Sequence, residues 1–82
     1  MCVACGDPDT FLKKQDYHGS DIKVHKGVSN AAACCKHCQD NDQCSYWTYG
    51  TKGEKKGWCW LKHSSSGHEM QDNREAGHVC KE

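Results

Sequence analysis

Eight of the 82 residues are cysteine, and this limits what the chain can become more than any other feature. A short domain must offset the entropy of ordering its backbone by burying apolar surface, and small domains bury proportionally less than large ones. Only 8 residues are Ile, Leu, Val or Phe, so the core must be thin. Covalent staples are the usual compensation at this cysteine density. Disorder is the competing outcome for a core-poor chain, but it goes with large net charge and few aromatics. Here Lys+Arg 11 and Asp+Glu 11 cancel, and Trp 3, Tyr 3 and Phe 1 are present. Composition therefore points to one folded, disulfide-bonded domain.

The same balance limits partners. Strong phosphate binding needs a basic excess that this chain lacks, so nucleic acid is not expected. No apolar run approaches the roughly 20 residues that span a bilayer, so membrane insertion is not expected either. Disulfides belong to oxidising compartments, yet no apolar leader follows Met1. The expectation is that residues 1–82 form a single domain cut from a longer secreted chain, with Met1 an expression start.

Local signals divide the chain. Gly6-Asp7-Pro8-Asp9 is a turn, and the segment to Lys14 leads into a first strand. A second turn, Tyr17 to Asp21, precedes the alternating Ile22-Lys23-Val24-His25, which reads as a half-buried strand. Residues 29–40 are the helix: Ser29 or Asn30 can cap it, and Ala31-Ala32-Ala33 favour propagation. Ala31, Cys34, Cys35 and Cys38 then share one face. Asp40-Asn41-Asp42 ends it; the run lacks the later Gly and Glu of a calcium loop. Cys44 to Tyr49 and Trp58 to Lys62 read as a hairpin with a polar Gly50–Gly57 loop. Period two places Cys59 and Leu61 on one face and Trp58, Trp60 and Lys62 on the other. His63 to Gly67 reads as a loop, and a short last strand is expected at His78-Val79-Cys80.

Eight cysteines allow 105 full pairings. Cys34 and Cys35 are neighbours, and Cys34 and Cys38 lie one helical turn apart, so neither pair closes on itself without strain. The helix cysteines must reach outward: Cys38 can reach Cys44, and Cys34 can reach Cys59 if that face packs on the second hairpin strand. Zinc is the first rival, through Cys2-x-x-Cys5 and Cys35-x-x-Cys38. The long separation of the two pairs and four unused cysteines argue against it, so no metal is expected. A redox role for Cys35-Lys36-His37-Cys38 would need a thiolate at a helix N-terminus, whereas Cys35 sits in the second turn. His63-Ser64 with Glu69 offers no oxyanion donors, so no enzyme and no cofactor are expected.

The order of motifs resembles the apple domain, or PAN module, of secreted and cell-surface proteins. The residues that carry the resemblance are the capped helix with Cys34-Cys35-Lys36-His37-Cys38, then Cys44-Ser45-Tyr46-Trp47-Thr48-Tyr49, then Cys59-Trp60-Leu61-Lys62. Upstream, Asp16 to Ile22 looks like the family's first strand and turn. Within the family the chain looks most like the tandem apple domains of microneme adhesive proteins of coccidian parasites. The resemblance implies an α+β fold in which an antiparallel sheet of about five strands cradles the helix at about 29–40, with the chain ends side by side. It also implies the pairings Cys34 to Cys59, Cys38 to Cys44, and an N-terminal cysteine to Cys80. Cys2 and Cys35 are extra to that framework; the preferred assignment is Cys5 to Cys80 and Cys2 to Cys35, and Cys2 and Cys5 can exchange roles.

Apple domains are binding modules, so the implied function is non-catalytic adhesion by a secreted protein stored in a microneme. The implied partner is a host cell-surface glycan or receptor protein. Alternatives are contact with sister apple repeats or another adhesin, and sulfated polysaccharide on the lysine-rich hairpin loop. The candidate ligand residues are Lys52, Lys55, Lys56, Trp58, Trp60, Lys62 and His63.

Overall fold

Asn30, of the two capping candidates, starts the helix: its Oδ1 accepts the Ala33 N–H at 2.8 Å. In the computed structural model, which describes Cys5, residues 11–19 and residues 21–79, helix α1 runs over Ala31–Gln39. It stops there because Asp40 N–H returns to Lys36 O and Asn41 N–H to Cys38 O, which satisfies the last carbonyls. The side chain of Asn41 then accepts the Gln43 N–H at 2.9 Å and turns the chain toward the sheet.

Five strands form one antiparallel sheet: β1 (Leu12–Tyr17), β2 (Asp21–His25), β3 (Tyr46–Gly50), β4 (Cys59–Lys62) and β5 (His68–His78), in the order β1-β5-β3-β4-β2. The expected hairpin is β3 with β4, in register Trp47↔Leu61 and Tyr49↔Cys59. The expected short strand at His78–Cys80 is corrected: β5 is 11 residues long and ends at His78. Its first half pairs with β1 alone, through Tyr17↔His68 and Gln15↔Met70, and residues 68–72 are exposed. A strand with no buried face in that half carries no apolar alternation to betray it. Its second half inserts between β1 and β3, where Ala76 is fully buried.

The core lies between α1 and one face of the sheet. Cys34, Cys35 and Cys38 pack against Trp47 and Tyr49 of β3 and Cys59 and Leu61 of β4, and Phe11 meets the Trp47 ring edge-on at 4.8 Å. Gly77 stands opposite Trp47, and a Cβ there would come within 2.5 Å of Trp47 Cζ2, so the close approach of β5 requires glycine. Tyr49 donates its hydroxyl to Val28 O at 2.8 Å, which ties the segment before the helix to the core.

Among the described residues three disulfides cross-link the fold. Cys34–Cys59 joins helix to β4 and Cys38–Cys44 joins helix to the start of the hairpin, the two pairings that the resemblance implies. The third is Cys5–Cys35, which corrects the expected Cys5–Cys80 and Cys2–Cys35 bridges. Adjacent helix residues point about 100° apart, so Cys34 faces β4 while Cys35 faces the N-terminal segment. There Cys5 comes within 5.5 Å, Cα to Cα. Cys2 and Cys80 lie outside the described residues. Cys35 and Cys38 of one C-x-x-C pair, and Cys5 of the other, are each held in a disulfide.

Strand β2 touches the helix through stacked imidazoles, His25 on His37, with ring centroids 4.2 Å apart. Burial, then the His37 ring and the Lys23 ammonium, hold His25 below the ordinary histidine value. The unfolded chain therefore takes up this proton first as pH falls. The contribution is complete above about pH 6.5 and is lost at lower pH, through the depressed folded-state value. The urea midpoint should fall between pH 7 and 5, and His25→Gln should flatten that slope; an unchanged slope in the variant would remove His25 from the account.

Candidate functional site

The face of β4 that turns from the helix carries Trp60 and Lys62, and strand register decides what surrounds them. Thr48 and Val24 flank Trp60, while Tyr46 and Asp21 flank Lys62. Arg74 of β5 stands opposite Gly50. No side chain projects from Gly50, and the Arg74 guanidinium lies 4.8 Å from the Trp60 ring centre. The β1–β2 turn comes over this face: Tyr17 N–H donates to Thr48 Oγ1, and Lys62 Nζ donates to Gly19 O at 3.0 Å. Gly67, at φ +77°, holds the other side of that turn by accepting the His18 N–H at 2.9 Å; a Cβ at Gly67 would strike His18 O.

The result is a cleft of about 320 Å³ lined by Asp16, His18, Gly19, Asp21, Trp60, Lys62 and Arg74. Trp60 is half-buried and presents an aromatic surface. Lys62 pairs with Asp21 and Gly19 O, and its side chain is 4% exposed against 52% for Asp21. Its ammonium is thus part of the cleft wall, held there by Asp21 and the turn carbonyl. Asp16, His18 and Glu69 place ligand atoms within 4.8 Å of one another at the rim. Glu69 Oε1 lies 3.7 Å from His18 Nδ1, so the acid once considered beside His63 and Ser64 belongs to a different histidine. The Ser64 hydroxyl is shared with Ser66.

The other sequence candidates divide. Trp58 lies beside the cleft, its ring centre 5.8 Å from that of Trp60. Two ammonium groups sit on Trp58: Lys55 at 3.7 Å and Lys26 at 4.3 Å. Lys26 arrives because the loop before the helix is stitched to the hairpin loop by Val28 N–H to Gly57 O. Lys52, Lys56 and His63 are exposed and do not line this cleft. Sequence reasoning missed Asp16, His18, Asp21, Arg74 and Lys26 as site residues. The only signal was the turn at Tyr17–Asp21, and nothing local indicated which face that turn would cover.

A disulfide-stapled α+β domain with an open, polar cleft over an aromatic floor defines a small binding module. A family model for the PAN domain matches residues 15–62, more than half of the chain, and the chain belongs to that family. PAN, or apple, domains are binding modules rather than enzymes. The fold is similar to that of the two N-terminal apple domains of Toxoplasma gondii microneme protein 4, with TM-score 0.73 and 24% identity over 92% of this chain. This chain spans about half, 47%, of that two-domain structure. It is also similar to a PAN module from Eimeria tenella, with TM-score 0.55 and 17% identity over 87% of each chain. The sequence matches none of the curated proteins. Among the described residues no helix is long and apolar enough to cross a membrane, and the disulfides suit an oxidising, extracellular setting.

Proposed function

We propose that this chain is a non-catalytic adhesion module of a secreted, microneme-type protein, and that it attaches to a cell-surface glycan through the Trp60 cleft. The observation that carries the reading is the cleft's make-up. Trp60 offers a flat apolar surface for a sugar ring, and Asp16, Asp21 and Arg74 surround it with groups that pair with hydroxyls. A single shallow cleft binds weakly, and linking several such domains in one chain raises avidity without new contacts. That is the physical reason to place this domain as one repeat of a longer protein.

Glycan-array binding by the isolated domain, compared with Trp60→Ala, tests the reading. An aromatic anchor in a binding site contributes about 2 kcal/mol or more, so the variant should bind roughly 30-fold more weakly. If the array retains nothing and the domain instead co-purifies with another adhesin, the protein-contact reading replaces this one. A second reading has its own observation: Lys26 and Lys55 converge on Trp58 beside the exposed Lys52 and Lys56. Such a patch suits sulfated polysaccharide. Heparin retention that collapses with added salt and with Lys55→Gln, while Trp60→Ala leaves it intact, would favour it.

A further inference from the structure

We infer that the Trp60 cleft selects an acidic sugar, one whose ring stacks on Trp60 and whose carboxylate or sulfate is received by Arg74. This rests on the glycan reading of the cleft and deepens it. The starting point is an unbalanced cation. Ion pairs among the described residues are Lys13 with Glu75, His18 with Glu69, and Lys62 with Asp21. None of these pairs includes Arg74, and Glu75, Glu69 and Asp21 are each engaged elsewhere. Glu75, its neighbour on β5, turns to the opposite side of the strand and pairs with Lys13 at 3.0 Å. Asp21 is held by Lys62, and Glu69 lies beside His18.

Among the described residues the Arg74 side chain makes one hydrogen bond, to Asn73 O at 3.1 Å, and its guanidinium lies over the Trp60 ring. A guanidinium has five N–H donors, so most of its capacity is left for a ligand. Arginine matches carboxylate and sulfate oxygens with paired, charge-assisted hydrogen bonds. Stacking on Trp60 already restrains the side chain, which lowers the ordering cost of binding.

Asp16 explains why the ligand is a sugar acid rather than a bare anion. Its carboxylate lines the same cleft, has no ion-pair partner among the described residues, and repels a simple anion while accepting hydroxyl donors. A sugar acid satisfies both groups: hydroxyls toward Asp16, negative charge toward Arg74, and a ring between them on Trp60.

The test is a chemical-shift titration of the full 82-residue chain, followed at the Trp60 indole N–H and the Arg74 Nε–H. The probes are methyl galactoside, methyl galacturonide and galactose 6-sulfate, which share a ring and differ in the group at carbon six. The galacturonide should bind about tenfold more tightly than the neutral sugar, the scale of one charge-assisted pair. Arg74→Gln should bring the two together, and Arg74→Lys should keep part of the difference, which guards against a misfolded first variant. Preference for the galacturonide alone assigns a carboxylate ligand, and equal preference for the sulfate assigns an anionic group of either kind; both support the inference. Equal binding of neutral and acidic sugars at the cleft ends the inference but leaves the glycan reading standing. Absence of any shift at the cleft ends both. A preference that survives Arg74→Gln and disappears in Lys55→Gln moves charge recognition to the basic loop and overturns the inference.

Discussion

Replacing Cys34 and Cys59 together by alanine is expected to lower the thermal midpoint by roughly 15–25 °C. This bridge closes a loop of 25 residues, and both half-cystines are fully buried. In the chain-entropy account its loss costs about 3.5 kcal/mol, and the alanines leave empty space between helix and sheet. In a domain of this size each kcal/mol moves the midpoint by about 4–8 °C. The comparison is what makes the expectation sharp. Cys38–Cys44 closes only 6 residues, so the same double replacement there should cost about 2 kcal/mol. Calorimetry of both variants decides. An equal or larger loss at Cys38–Cys44 would mean that loop length is not the governing term.

The second large effect concerns Asp21 and Lys62. Asp21→Ala leaves a buried ammonium with Gly19 O as its one remaining partner among the described residues, and breaking a buried pair from one side costs about 3–5 kcal/mol. Solvent reaches Asp21, so about 2–3 kcal/mol is expected here. Lys62→Met should be nearly neutral, because an apolar chain of similar length fills the same space and takes no charge out of water. The double variant should then match Lys62→Met alone. Urea unfolding of the four proteins measures the coupling, and additive losses would show that the pair contributes nothing beyond its separate packing. Because this pair pins the β1–β2 turn over the sheet, Asp21→Ala should also weaken sugar binding at the cleft, whereas Trp60→Ala should do so with little change in stability.

The elements that were legible in the sequence are those whose signals are local. Ala31-Ala32-Ala33 behind a capping side chain, with cysteines at helical spacing, specified α1 and its inner face. Aromatic-rich runs on both sides of Gly50–Gly57 specified the β3–β4 hairpin, and alternation along it separated Cys59 and Leu61 from Trp58 and Trp60. β5 escaped because its first half is solvated on both faces and its second half owes its burial to Trp47 and β1. The partner of Cys35 stayed open between Cys2 and Cys5 because the two lie three residues apart and no local pattern separates them; the fold joins it to Cys5, against the preferred assignment.

The candidate site divides in the same way. Trp60 and Lys62 were visible as residues on the outer face of a strand, but the pairing of the Lys62 cation with Asp21 was not. Asp16, His18 and Arg74 join the cleft from positions far apart in the chain, by strand register and by the fold of one turn. By itself, then, the sequence determined a thin-cored, disulfide-stapled apple domain with one helix and a central hairpin, because cysteine count, capping and periodicity act over a few residues. The tertiary structure alone decided the Cys5–Cys35 bridge, the full length of β5, and a cleft that sets the Arg74 guanidinium over Trp60, because pairing between distant segments depends on geometry that no local pattern encodes.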